Sequence, residues 1–494
     1  MAATAATERR TETVSVAIVG TGFSGLGMAV RLKQKGVNDF VILEKADDVG
    51  GTWRENTYPG CACDIPSHLY SFSFEQNPDW NRLYPEQREI HAYLRGVMEK
   101  YNLREHIRFG SEVIGYEYRD DTNTWLVNLA GGRTVIAGAI IIGQGPLHIP
   151  SYPNVPGLES FQGKTMHTAT WDHDYDFTGK KVAVIGTGAS AVQAIPQIAP
   201  QVEQLHVVQR TPAWIMSKPD FAVPAWAKQL FRRLPFTQNL FRALLYWFHE
   251  ARLVAFQVRA LNKVGEALGK AHIAKGIKDR KLRKAVTPDF NLGCKRILIS
   301  DDYYPALDRP NVNVITDALT EVRANSIVTA DGVEHEVDCI VYGTGFKVTD
   351  AMSEMSMTGR GGIKLQEAWQ DGIESYLGVA IHGFPNAFTL VGANTGLGHN
   401  SIVFMIEAQV NYILQALALQ RRTKAKGVDV RASVQREFNA DIQGQLDRTV
   451  WSQGGCKSWY LDSRGVNRTL WPGFTWRYWL RTRQLRAGDF ELIN

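Results

Sequence analysis

The chain runs to 494 residues, more than one hydrophobic core ordinarily spans, so two or three domains are expected. With 44% hydrophobic and 21% charged residues the composition is that of a soluble globular protein, and a net charge of +5 is too small at this length to indicate nucleic acid. No run of eighteen uncharged apolar residues occurs; the nearest, Leu240 to Phe256, carries Arg242, His249, Glu250 and Arg252, so no bilayer-spanning segment is expected.

In chain order, residues 1–13 are polar and rich in Ala and Thr, without an apolar signal core, and read as a disordered tail. Val14 to Val19 is a short apolar run of the kind found in buried parallel strands. It feeds into Gly20-Thr-Gly22-Phe-Ser24-Gly25, followed by helical periodicity from Leu26 to Lys35. A second strand, Phe40 to Leu43, ends at Glu44, about twenty residues past the loop, where a ribose hydroxyl needs an acceptor. Gly20 permits the tight turn, Gly22 lets backbone approach a pyrophosphate on the helix N-terminus, and Gly25 allows helix and strand to pack closely.

Gly50-Gly51-Thr52-Trp53 and Tyr58-Pro-Gly-Cys61-Ala62-Cys63-Asp64 follow. Disulfide reductases place a CxxC or CxxxxC pair near their flavin; Cys61-x-Cys63 has the wrong spacing and reads as structural. The full set, Cys61, Cys63, Cys294, Cys339 and Cys456, is odd and sparse, which fits a reducing cytoplasm better than a disulfide scaffold.

Ile140-Ile-Ile-Gly143-Gln-Gly145 looks like a crossing out of the first domain. The string Phe161-Gln-Gly163-Lys-Thr-Met-His167-Thr-Ala-Thr-Trp171-Asp172 comes next. A second strand-and-loop unit follows it: Lys181 to Ile185, then Gly186-Thr187-Gly188-Ala-Ser190-Ala191, with Gln193 in the helix after it. The next strand, Leu205 to Val208, ends in Gln209-Arg210-Thr211. An Arg at this tip accommodates a 2′-phosphate where an acid would select plain ribose, so NADPH is favoured over NADH. From Lys228 to Lys284 there are 14 Lys/Arg and 3 Asp/Glu, a net of +11 in a helical pattern. A basic amphipathic helix can lie on an anionic membrane; a helical subdomain with a solvated basic face is the reading we favour. No module or stacking pattern supports nucleic-acid binding.

Later come Gly293-Cys294-Lys295-Arg296, the loop from Asn394 to Asn400, and Ser458-Trp459-Tyr460. Asp338-Cys-Ile-Val-Tyr-Gly343-Thr-Gly345-Phe346 has the form of a strand and turn returning to the first domain. The expectation is an α/β fold of two Rossmann-like domains, the second inserted in the first: 14–145 with 340–494 for FAD, 150–215 with 286–335 for NADPH, and a helical insert over 216–285. No metal site is expected.

The string from Phe161 to Asp172 matches FxGxxxHxxxW followed by Pro or Asp, and with both glycine loops the chain resembles the type I Baeyer–Villiger monooxygenases from Val14 to about Trp479. The resemblance implies FAD, NADPH and O2 as reactants, and insertion of oxygen beside a ketone carbonyl through a C4a-peroxyflavin, with sulfoxidation of thioethers as a second outlet. It implies that Gly51, Thr52, Trp53, Asp64, Tyr70 and Val113 lie along FAD, with core packing as the less favoured reading of Trp53. Ala62 departs from the family, which has Arg there. Lys295 would hold the NADPH 2′-phosphate, Arg296 would steady the negative peroxide with Asp64 as its charge-assisted partner, and Trp459 would contact NADP⁺. His167 could serve as a base; a structural role for His167 and Trp171 in the linker is preferred. The helical insert would cover the substrate cavity. Two alternatives stay open: a flavin monooxygenase limited to soft N or S nucleophiles, against which Trp171, Asp172 and Arg296 argue, and a non-catalytic FAD/NADPH redox sensor.

Overall fold

In the computed structural model, residues 11–348, 355–456 and 458–494 are described, apart from the side chain of Ala255. The first strand, β1 (Thr11–Val19), alternates at its start and is buried on both faces from Val16 to Val19, as a central parallel strand must be. It begins earlier than expected. Thr11, Glu12 and Thr13 already pair with Thr134 to Ile136, so the tail expected over 1–13 does not reach residue 13, and its remainder lies outside the described residues.

Helix α1 (Phe23–Gln34) follows the first glycine loop and is buried on nearly every side, because it packs between β1 and the long helix Ile402–Thr423. That second helix is the one described segment long and apolar enough to cross a membrane, and 67% of its window is buried inside the protein, the environment of a core helix. The sheet continues with β2 (Phe40–Leu43), β3 (Ile107–Arg108), β4 (Val113–Arg119), β5 (Thr124–Leu129) and β6 (Thr134–Ile142), in the order β4-β5-β6-β1-β2-β3. β6, β1, β2 and β3 run parallel, and β4–β5–β6 is an antiparallel meander. Ala387–Thr389 adds a parallel strand on the upper half of β6, where β5 has ended.

The second sheet is wholly parallel. It comprises β7 (Lys164–His167), β8 (Lys181–Ile185), β9 (Gln204–Val208), β10 (Val312–Ile315) and β11 (Cys339–Tyr342), ordered β10-β9-β8-β11-β7. Helix α2 (Ala189–Ile198) follows the second glycine loop. Because β11 pairs with both β7 and β8, it belongs to this sheet and not to the first domain from residue 340. The crossing falls after it, at Gly343 to Phe346.

The insert leaves the second domain after Ile215–Met216 and returns at Leu298–Ile299, and these two segments pair in parallel, closing its neck. Between them lie α3 (Ala225–Arg233), α4 (Pro235–Gln257) and α5 (Arg259–Gly276). The favoured solvated basic face is not what α4 presents. Its charged residues point inward, and its exposed positions carry no charge and are mostly apolar.

The cysteines also depart from the all-thiol expectation. Cys294 and Cys456 form a disulfide across 162 residues, while Cys61, Cys63 and Cys339 are free and buried. Spacing along the chain carried no trace of a pair so far apart.

Candidate active site between the two glycine loops

Each glycine loop is fitted against one of the chain's two domain crossings. Gly20 has φ +93°, and a Cβ there would lie 2.8 Å from the Gly143 carbonyl oxygen; at Gly186, φ +115°, it would lie 2.4 Å from that of Gly343. A Cβ on Gly25 would sit 1.8 Å from the Gly20 oxygen, which is the close packing expected of the third glycine. Gly22 and Gly188 are different: the nearest atoms to their absent side chains are 3.9 and 3.8 Å away. These two cap α1 and α2 without any side-chain cap, leaving the first-turn N–H groups free to receive an anion.

Both cradles open into one cavity of about 1120 Å³, just above the roughly 300–1,000 Å³ usual for a single ligand. Gly20, Gly22, Ser24, Glu44, Gly51, Thr52, Trp53, Asp64, Tyr70 and Val113 line one flank. Gly186, Thr187, Gly188, Ser190, Gln193, Thr211, Lys295, Arg296 and Trp459 line the rest. The groups expected around two dinucleotides are thus brought to one space, and the donors and glycine gaps fit FAD and NADPH. Gly25 and Ala191 pack behind the loops and do not line it. Trp53 both lines the cavity and donates its indole N–H to Tyr70 Oη at 3.3 Å. Glu44 is buried, accepting the Thr21 N–H at 3.0 Å and facing Arg54 Nη1 at 3.1 Å. Thr187 Oγ1 donates to the Thr211 carbonyl at 3.1 Å, fixing the second loop against the tip of β9.

Arg210 is exposed beside the cavity. Burial and then the nearby Arg210 charge push the Lys295 ammonium below its ordinary pKa, so two cations share the edge of the second loop with few acids to neutralise them. Such a pair awaits an anion.

Asp64 and Arg296 form a two-pronged ion pair: Nε to Oδ2 at 2.8 Å and Nη2 to Oδ1 at 2.7 Å. Arg296 Nη1 also donates to the Leu397 carbonyl at 3.2 Å, tying the guanidinium to the Asn394–Asn400 loop. Burial disfavours the Asp64 carboxylate, but Arg296 outweighs it and holds the pKa below the ordinary value; in turn Asp64 raises that of Arg296. The guanidinium therefore stays charged at every working pH. Arg252 of α4 lies close enough to feel Asp64 and Arg296. Sequence reasoning missed that residue, which had served only as a charge within an apolar run; its helical phase, within one turn of the exposed Phe248, gave no signal that it reaches the site.

The linker string does not line the cavity. His167 ends β7 fully buried, accepts the Ala169 N–H on Nδ1 at 3.0 Å, and stacks edge-on with Tyr152 and Phe346; burial lowers its pKa and keeps it neutral. Thr168 Oγ1 donates to Ser190 Oγ at 3.0 Å, so the string touches the second loop. Trp171 stacks on Phe177 at 5.5 Å, and Asp172 pairs with Lys164. A Cβ on Gly163 would meet the Asp338 oxygen at 2.4 Å and the Phe161 ring at 2.7 Å. Within the Asn394–Asn400 loop, Asn394 donates to Asn467 and Leu470, and Asn400 donates to the buried Glu250 at 2.6 Å. Burial pushes the Cys61 thiol up to about 12 and that of Cys63 well above its ordinary value, so neither offers a thiolate for redox exchange.

Two parallel-stranded cradles opening on a shared cavity define a flavoprotein oxidoreductase that holds a flavin and a nicotinamide together. A family model described as pyridine nucleotide-disulphide oxidoreductase matches residues 17–243. The chain is 50% identical over 481 residues to a Baeyer–Villiger monooxygenase of Pseudomonas aeruginosa, covering 97% of this chain and 91% of that one. It is 46% identical to one of Streptomyces coelicolor, covering 98% and 93%. Among solved structures, it matches cyclohexanone monooxygenase from Rhodococcus bound to NADP⁺ with a TM-score of 0.89 and 28% identity, covering 98% of this chain and 100% of that one. Steroid monooxygenase bound to NADP matches with a TM-score of 0.88 and 28% identity, covering 97% and 99%. The chain belongs to the Baeyer–Villiger monooxygenases, enzymes that use FAD and NADPH to insert one oxygen atom of O2 beside a ketone carbonyl.

Proposed function

We propose that Arg296 is the group that stabilises the reaction, with Asp64 as its orienting partner, and that the substrate is an apolar ketone. The observation that carries this reading is the two-pronged Arg296–Asp64 pair facing a cavity shared by both glycine loops. FAD and NADPH held in this cavity would supply the electrons that activate O2. Arg296 places a permanent positive charge where negative charge develops on the substrate's carbonyl oxygen, and its fixed geometry requires no reorganisation during reaction. Leu397, Ile402, Ile406 and Val391 furnish apolar wall, which suits a hydrophobic ketone and equally a thioether as second substrate. Arg210 and Lys295 would hold the 2′-phosphate of NADPH, Glu44 would accept from the FAD ribose, and Trp459 would contact NADP⁺. His167 and Trp171 are structural. We place the FAD domain at 11–148 and 346–494, the NADPH domain at 149–216 and 298–345, and the helical insert between its two halves.

The test is the Arg296→Ala variant assayed with a ketone under isotopically labelled O2. Retained FAD, continued NADPH oxidation and a loss of labelled ester by about 100-fold or more are expected. Undiminished labelled ester would refute the assignment.

A further inference from the structure

Helix α4 is built inside out. Its charged side chains, with Gln238 and His249, face the protein. Gln238 donates to the Asn77 carbonyl at 2.7 Å and Arg242 to that of His68 at 2.6 Å. His249 Nδ1 meets the His399 carbonyl at 3.0 Å, and Glu250 accepts Thr475 Oγ1 at 2.6 Å. Its exposed positions carry no charge at all, and Phe236, Leu240, Leu244, Trp247, Phe248 and Val254 recur there at helical spacing. Leu244 is 61% and Trp247 59% exposed, in a helix whose water-facing side would ordinarily be its polar side. On α5, Leu261, Val264 and Leu268 continue the exposed apolar pattern at spacings of three and four.

The exposed charge within this segment is nearly all of one sign, and of its cations Arg232 is paired with Asp79 of a neighbouring loop. Between Trp226 and Lys284 ten exposed Lys or Arg stand against one exposed acid, Asp279, which is itself spent on capping the helix Arg280–Ala285. Two copies of the chain meeting through such a surface would bring like charges together, which argues against self-association as its cover. An apolar stripe with aromatic residues, bordered by lysine and arginine, is complementary to the interface of a bilayer bearing anionic headgroups.

We propose that α4 and α5 form a docking face for an anionic lipid surface, with α4 lying in the plane of the interface. The inner side of the same helix contacts the cavity wall, because Glu250 accepts from Asn400, a cavity-lining residue. One helix diameter, about 10 Å, then separates the substrate cavity from the acyl region where apolar ketones collect. Docking is independent of which oxygenation the enzyme performs.

The test is flotation of the FAD-loaded full-length protein with phosphatidylcholine vesicles, with and without phosphatidylglycerol. Flotation with the anionic vesicles only, weakened by salt, is expected. The Leu244→Glu/Trp247→Glu double variant should reduce the bound fraction about tenfold or more while keeping its FAD absorbance. Lys275→Glu, at an exposed site two turns beyond Leu268 on the same arc of α5, should lower it severalfold and serves if the first variant misfolds. Flotation with neither vesicle or equal flotation with both overturns the proposal. So does a dimer in sedimentation that Leu244→Glu dissociates, which would show that a second copy covers the face.

Discussion

Tyr58 and Gln193, 135 residues apart, are joined by a 2.8 Å hydrogen bond in which the tyrosine hydroxyl donates to the carboxamide oxygen. The same carboxamide donates to the Ala62 carbonyl at 2.9 Å. The helix behind the second glycine loop is thereby strapped to the segment that carries Asp64. Gln193→Ala leaves these partners unpaired in a half-buried place, at a cost of about 1–3 kcal/mol. Thermal unfolding should report that loss, and the KM for NADPH should rise several-fold with little change in FAD content. An unchanged KM would mean that the strap does not set the spacing of the two cradles.

The cation pair at the second loop makes a claim about cofactor choice. Arg210→Ala and Lys295→Ala should each weaken NADPH by about ten- to a hundredfold, the range of one charge-assisted hydrogen bond, and leave NADH almost untouched. Steady-state KM values for the two cofactors decide the matter; a parallel loss for both would show that neither residue reads the 2′-phosphate.

The Asp64 carboxyl fixes a direction for pH dependence. Its folded pKa lies below the value of about 3.9 for an unfolded aspartate, so the folded state binds fewer protons in that range. Its stabilising contribution is complete above about pH 4 and lost as pH falls through the depressed folded pKa. Wild-type protein should therefore lose stability more steeply in acid than Asp64→Asn, while the two run parallel near neutrality. Denaturation midpoints across that acid range measure the difference, and coincident curves would contradict it.

The Cys294–Cys456 bond joins the turn leading into Lys295 and Arg296 to the segment just before Trp459. Cys456→Ser should destabilise the protein by about 2–4 kcal/mol. A higher KM for NADPH is expected as well, since Trp459 loses its nearest covalent anchor to the Lys295 side of the cavity. Mass spectrometry of the alkylated, unreduced protein should count three free thiols, and five would mean that the bond does not form in solution.

The glycine loops, their strands and Glu44 were legible because each is a local pattern: a β-rich run, a fixed glycine spacing, a helix. The Lys295–Arg296 pair was legible only through resemblance, since two adjacent basic residues carry no signal of their own, and its geometry depends on Asp64, 232 residues away along the chain. Three features escaped for the same reason of distance. Gln193 gains its partners across 131 and 135 residues, the disulfide spans 162, and β11 finds its sheet only when β7 and β8 are in place. The inverted polarity of α4 was written in its periodicity, but net charge drew the reading toward a solvated basic face; which arc of an amphipathic helix faces inward depends on the groups it meets, here His68, His399 and Thr475.

The strand Ala387–Thr389 completes the first sheet by pairing with Ile140–Ile142, across about 250 residues. During synthesis at roughly 5–20 residues per second, the upper edge of β6 waits on the order of 10–50 s for that partner. The whole second domain and its helical insert emerge in the interval, between two chain ends that must finish side by side. An unpaired edge of Ile-rich strand invites pairing with other chains. Expression should thus be most vulnerable to substitutions that slow folding of the inserted domain, even where they lie far from either cofactor.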